Sequence, residues 1–237
     1  MKKLKSLTIF FPFFNDAGTV SQAIDDAYYY GKNVSKNLEV IVIHGGRSTD
    51  NTFAEILKQK KKHSDLIIID KTSSEERYAV IKYGFLKATK EWVFYTDGDL
   101  QYDLKEIKKL IKKQQETNAD IVNGYRTQRA DKIVRVLGGN LYRKFTRFLY
   151  KLPLRDLECD FRLIRTSALK RINLTAYDAS IIFELIKKLQ LSGARFAQEQ
   201  VSHHQRSYGQ STYSTWSLLK EKLLGDIKVW FCLKKSV

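Results

Sequence analysis

The chain has little that would staple or anchor it. Among 237 residues there are two cysteines, Cys159 and Cys232. Two isolated thiols give neither a disulfide framework nor a metal-ligand spacing, which points to a reducing compartment. No run reaches the ~18 apolar residues that a membrane-spanning helix requires. The basic N-terminus followed by Leu7 to Phe14 imitates a signal peptide, but Pro12 interrupts the run and Asn15-Asp16 closes it. No small-residue cleavage site follows, so this stretch reads as a buried first strand. Internal repeats, low-complexity linkers and recognisable nucleic-acid motifs are missing too.

Acidic residues are also scarce. Against 42 Lys and Arg stand 26 Asp and Glu, a formal charge of +16. Such an excess calls for an anionic partner: nucleic acid, a membrane surface or a phosphorylated ligand. What is present is core material, with 43% hydrophobic and 12% aromatic residues. That suits one α/β domain with a short appendage.

Short apolar runs alternate with helical patterns. Leu7–Phe13, Glu39–Ile43, Leu66–Ile69, Trp92–Thr96 and Ile121–Asn123 read as strands. Helical patterns fall near 17–30, 51–62, 76–89, 103–117 and 178–192, with a further strand near 195–201. Strands separated by helices of this length make βαβ units and a mainly parallel sheet. Ligands bind such sheets beyond the carboxyl ends of the strands. Those ends hold Pro12-Phe13-Phe14-Asn15-Asp16, His44-Gly45-Gly46 and Thr96-Asp97-Gly98-Asp99.

Residues 126–151 carry eight Lys or Arg and one acidic residue, interleaved with aromatics. They read either as a patch for anionic lipid head groups or as a solvated helix face. In the tail, Trp216, Leu219, Leu223, Ile227 and Trp230 recur at helical spacing, with Lys220, Lys222 and Lys228 beside them. This amphipathic helix either packs on the core or rests on a membrane.

Thr96-Asp97-Gly98-Asp99-Leu100-Gln101 is the sharpest chemical signal. Two carboxylates two residues apart repel, and a hard divalent cation shared with substrate phosphates relieves that repulsion. Gln101 adds a carbonyl oxygen. The plain alternative is a polar turn before the next helix, with Asp103 as its cap.

Five segments, in order over most of residues 7–215, resemble family-two glycosyltransferases of the GT-A fold, and among them the dolichyl- and polyprenyl-phosphate sugar synthases. They are Pro12-Phe13-Phe14-Asn15-Asp16, Ser48-Thr49-Asp50-Asn51-Thr52, Arg77 to Phe85, Asp97 to Asp103, and Arg155-Asp156-Leu157-Glu158-Cys159-Asp160-Phe161-Arg162. The resemblance implies a GT-A domain over 1–212, with a nucleotide-sugar half (1–124) and an acceptor half (125–212), followed by the helix 213–237. It implies that Pro12, Phe14 and Asp16 frame the nucleotide, with Arg77 nearby. Asp97, Asp99 and Gln101 would hold Mg²⁺ or Mn²⁺ on the donor diphosphate. Arg126 would contact the acceptor phosphate, and Arg206 and Gly209 would belong to a loop closing over the diphosphate.

The implied reaction is an inverting transfer from a nucleoside diphosphate sugar to a polyprenyl phosphate. The protein would work in the cytoplasm, peripheral on the inner face of the membrane, without nucleic acid, as a homo-oligomer or with a membrane-protein partner. A phosphate acceptor is already anionic and needs positioning and charge screening, for which Arg126, Arg135 and Arg143 are candidates. A hydroxyl of a polysaccharide or glycolipid would need a base. Asp156 is the first candidate and Glu158 the second, with an ion pair to Arg155 or Arg162 as the structural alternative for Asp156. His203 and His204 are adjacent, so on a strand they face opposite ways and at most one meets the diphosphate. Glu184 faces either the site or solvent. Three departures from the family pattern stand out: His44-Gly45 where acidic residues are usual, an extra Arg47, and Asp160 in place of a glycine. They leave room for a catalytically weak homologue or a plain anionic-surface binder.

Overall fold

The computed structural model describes residues 1–46, 48–71, 80–127, 150–209 and 216–234. Arg47, Arg77, Arg135, Arg143 and most of the basic stretch lie outside them, as do the side chains of Trp216 and Leu219. One seven-stranded sheet runs through both halves of the chain. Its strands are β1 (Leu7–Phe13), β2 (Leu38–Gly45), β3 (Ile67–Lys71), β4 (Trp92–Thr96), β5 (Ile121–Tyr125), β6 (Phe161–Arg165) and β7 (Phe196–Gln200), in the spatial order β3-β2-β1-β4-β6-β5-β7. Only β6 runs against its neighbours. The expected parallel sheet is therefore present, with one reversed strand that the sequence reading did not foresee.

Alternation along the strands builds two cores. Leu7, Ile9, Phe11 and Phe13 of β1 join Val40 and Val42 of β2 on one face. There they pack against α1 (Val20–Val34) and α4 (Ile107–Thr117), through Ile24 and Ala27 of the first and Leu110 and Ile111 of the second. Phe10, Ile41, Ile43, Val93 and Tyr95 face the other way, against α3 (Ile81–Lys87) and α6 (Ile181–Leu191). Between them lie α2 (Thr52–Lys62), following β2, and the short α5 (Thr166–Leu169), following β6. Every strand of the centre is thus covered on both sides, as parallel strands require.

The C-terminal helix α7 (Trp216–Lys234) sits over a third cluster made by Tyr150, Leu152, Leu154, Leu157, Phe183 and Ile186. Ile227, Val229 and Trp230 pack against it. Lys222 does not flank an apolar stripe as the spacing suggested; it is 5% exposed and faces inward. Leu224 and Phe231 face outward.

Successive strands β1, β2 and β3 step one way from the centre, and β4 falls on the other side of β1. The order therefore reverses between β1 and β4, the place where open α/β sheets form a ligand crevice.

Candidate active site

The carboxyl ends of β1 and β4 supply the crevice. Pro12 stands one residue before the end of β1, and Phe14 and Asp16 follow that strand; Asp97, Gly98 and Asp99 follow β4. The antiparallel pairing of β4 with β6 brings a further carboxylate. Thr96 partners Phe161, so the residues next in register, Asp97 and Asp160, come together. Asp160 lines the cleft with Asp97 and Asp99. It was noted in the sequence only as a departure, because its place depends on a strand that was not anticipated.

Local geometry forces these turns. A Cβ on Gly98 would lie 2.1 Å from Cε1 of Phe13, so only glycine lets the two aspartates straddle β1's last side chain. Leu100 takes a left-handed conformation (φ 59°), as does Asn15 at the end of β1 (φ 55°). Such conformations are costly for non-glycine residues and cluster at functional sites. The turn at Leu100 lets the Gln101 N–H donate to Asp99 Oδ1 at 3.0 Å.

The end of β1 is sewn to the loop after β2. Thr49 N–H donates to Asn15 Oδ1 (2.7 Å), Ala17 N–H to Asp50 Oδ2 (3.1 Å), and Asp16 N–H to Thr52 Oγ1 (2.8 Å). Asp16 itself accepts from Phe14 N–H at 3.0 Å. Burial pushes its pKa up to about 6, with the Phe14 N–H and Arg206 opposing that rise.

Arg206 crosses the cleft from the loop after β7. Its guanidinium lies 2.6 Å from Asp99 Oδ2 and 3.5 Å from Asp16 Oδ1. That loop is held at several points. His204 N–H donates to the Gln101 carbonyl (2.8 Å), and Gln101 Nε2 donates back to the His204 carbonyl (3.0 Å). Glu106 accepts from Ser202, and the Tyr208 hydroxyl donates to Asp50 Oδ2 at 3.4 Å. His203 packs edge-on to Tyr102 (5.2 Å), while His204 is exposed. Neither histidine lines the cleft with the carboxylates.

Burial raises the pKa of Asp97 well above the carboxylate range, and the neighbouring Asp160 and Asp99 raise it further. Asp99 and Asp160 rise for the same first reason, opposed by Arg206 and Arg162 respectively. Asp97 and Asp99 offer hard oxygen donors two residues apart on one turn, of the kind a divalent cation shares with phosphates, with Asp160 beside them in the cleft. Among the described residues, no three His, Cys, Asp or Glu side chains could hold a metal ion as a group.

Arg126 and Asp156 come together, but as partners of each other. Arg126 Nε and Nη2 donate to Asp156 Oδ2 and Oδ1 at 2.7 and 2.9 Å, with both side chains under 8% exposed. The alternative partners Arg155 and Arg162 are not used by Asp156. Arg162, fully buried on β6, instead donates to Asp160 Oδ1 and, across to β5, to Asn123 Oδ1 (2.6 Å). Neither Arg126 nor Asp156 lines the cleft that holds the carboxylates.

The structure also places His44, Gly45 and Glu184. His44 and Gly45 alternate along β2, and it is Gly45 that lines the cleft. His44 is buried on the opposite side, stacked on Phe53 (4.9 Å) with its ring nitrogens 3.3 Å from Asp70 Oδ1 and 3.1 Å from Ser48 Oγ. Glu184 faces neither the cleft nor solvent. It is 2% exposed and accepts from Thr175 N–H, Ala176 N–H and Lys188 Nζ. Burial alone would raise its pKa, but these donors outweigh it and hold the carboxyl below its ordinary range.

Comparison with known proteins agrees with this geometry. A family model described as "Glycosyl transferase family 2" matches residues 8–172. An uncharacterized protein of Methanocaldococcus jannaschii is 28% identical over 84% of this chain and 94% of its own. The undecaprenyl-phosphate 4-deoxy-4-formamido-L-arabinose transferase of Proteus mirabilis is 23% identical over 92% of this chain, which spans 66% of that protein's length. Among solved structures, the mannosyltransferase PcManGT of Pyrobaculum calidifontis, in complex with GDP-Man and Mn²⁺, superposes with a TM-score of 0.65 at 13% identity, over 100% of this chain and 66% of that one. The fold is thus of the GT-A type, as the motifs led one to expect. With more than half of its length matched by the family model, this chain belongs to glycosyl transferase family 2.

Proposed function

We propose that the protein is an inverting, divalent-metal-dependent glycosyltransferase that moves a sugar from a nucleoside diphosphate sugar to a polyprenyl phosphate at a membrane surface. The reading is carried by the gathering of Asp16, Asp97, Asp99 and Asp160 opposite Arg206 at the switch point of the sheet. Mg²⁺ or Mn²⁺ held by Asp97, Asp99 and the Gln101 amide oxygen would neutralise the charge that grows on the leaving diphosphate. Arg206 supplies a fixed positive charge at the same place and stabilises the same oxygen. Pro12, Phe14 and Asp16 frame the nucleotide at the end of β1, with Arg77 as a further proposed contact.

On the acceptor side, Asp156 is buried and accepts from both guanidinium arms of Arg126. A carboxylate held that way is a poor general base, which favours an acceptor that arrives already anionic. Arg126, Arg135 and Arg143 are the proposed acceptor-side cations. The outward Leu224 and Phe231 of α7, with exposed Lys228 between them, suit contact with an anionic bilayer. No helix among the described residues is long and apolar enough to cross a membrane. The proposed association is peripheral, on the cytoplasmic face.

The test incubates the protein with labelled nucleotide-sugars, Mg²⁺ or Mn²⁺ and a membrane lipid extract. A lipid product labile to mild acid is expected. An acid-stable glycoside would contradict the phosphate acceptor and favour a hydroxyl of a polysaccharide or glycolipid.

A further inference from the structure

Helix α7 presents charge to the core, which apolar packing does not require. Lys222 and Asp226 lie one turn apart, 5% and 0% exposed, with Nζ 3.3 Å from Oδ2. The same ammonium lies 3.2 Å from Glu158 Oε1. Glu158 stands between Asp156, which is locked to Arg126, and Asp160, which lines the cleft. A second contact reaches the other side of the cleft. A Cβ on Gly225 would lie 2.9 Å from Asp178 Oδ2 and 3.2 Å from Ser180 Cβ, so the helix backbone runs against the turn that opens α6. Ala179, within that turn, and Ile181 and Ile182, just after it, line the cleft.

We infer that α7 is a brace for the acceptor-side walls of the cleft, with Lys222 a positioning residue that acts through Glu158 on the segment carrying Asp156 and Asp160. The inference rests on that cleft being the transfer site. Ile227, Val229 and Trp230 give the helix its adhesion, but apolar contacts tolerate rotation and sliding. Buried charges do not: moving Lys222 by part of a turn would break its contacts with both Glu158 and Asp226. The charged contact therefore sets the register of the helix, and the register sets the distance between the two walls. A displacement of about 1 Å at reacting groups is enough to cost ~100-fold in rate.

Lys222→Met alone removes the cation beside the fully buried Asp226 and is expected to destabilise the helix. The informative protein is the full chain with Lys222→Met and Asp226→Leu together, which removes the tie and leaves Glu158, whose side chain is 30% exposed, to solvent. It is expected to melt within ~3 °C of the parent. Amide exchange in 155–162 and 178–182 should rise ~10-fold, with the β1–β4 amides unchanged. Turnover of the nucleotide-sugar used in the transfer assay should fall ~10- to 100-fold with its KM within about twofold, while Lys222→Arg stays near parental. Parental exchange and parental turnover in the double variant would overturn the inference. If that variant does not fold, the unaltered protein decides. Amides of 155–162 and of α7 should share one opening free energy and one denaturant dependence, and independent opening would contradict the brace. The exchange readout needs no substrate, so its failure is separate from a failure to find a donor.

Discussion

The two sides of the cleft handle charge in opposite ways. At the ends of β1 and β4, Asp16, Asp97 and Asp99 are gathered with one shared cation, Arg206, and burial raises all three. Around β5 and β6, charge is neutralised in place: Arg126 with Asp156, Arg162 with Asp160, Lys222 with Glu158 and Asp226. The first arrangement keeps carboxylates close together, a repulsion that the proposed cation would relieve. The second builds a rigid wall whose members cannot be removed singly. The two regions thus differ in where their charges find compensation.

The largest effect expected from this contrast is on turnover. Asp99→Ala should lower transfer by ~1,000-fold or more while leaving the thermal midpoint unchanged or higher, since it deletes a carboxylate that resists burial. A labelled transfer assay beside a melting curve checks both.

Arg126→Ala should do the reverse and act first on stability. It takes the guanidinium away from a buried carboxylate, at a cost of about 3–5 kcal/mol. Denaturant unfolding reads this directly. Arg126→Met with Asp156→Leu should recover most of the loss, and a double variant as unstable as the single one would show that the pair is not the cause.

A smaller effect concerns pH. Asp16 has a pKa near 6 in the fold against 3.8 ordinarily. Between those values the folded chain keeps a proton that the unfolded chain has released. Its contribution is therefore present at pH 4 and lost as pH rises through about 6, by up to roughly 3 kcal/mol. Unfolding free energies of the parent and Asp16→Asn, compared from pH 4 to 7, should converge or cross in that direction. A difference that grows in the parent's favour with pH would contradict the assignment.

The smallest effect belongs to the surface. Lys58 pairs with Glu55 at 2.6 Å but is 67% exposed, so Lys58→Ala should change stability by no more than ~0.5 kcal/mol.

The same divide governs what could be read from the sequence. Leu7–Phe13 and Trp92–Thr96 were legible to the residue because continuous β-branched and aromatic runs end at turn-forming residues, and the carboxylates at those ends followed. β6 was not legible: Phe161–Arg165 carries Arg162 at its second position, and a buried arginine is tolerable there because it donates across to Asn123 and locally to Asp160 and the Leu157 carbonyl. Missing that strand also hid Asp160 as a cleft residue. The partners of Asp156 and Glu184 were missed for a related reason, since Arg126 lies 30 residues away and the donors to Glu184 come from a loop. His44 and Gly45 differ by one residue, and one step along a strand exchanges the faces of a sheet.

The most direct measurement is calorimetric titration of a panel of nucleoside diphosphates into the parent and into Asp99→Ala, each with and without Mn²⁺. Binding of at least one nucleotide to the parent only when Mn²⁺ is present, and its loss in the variant, is the predicted result. Equal binding by both proteins, indifferent to the ion, would contradict the account.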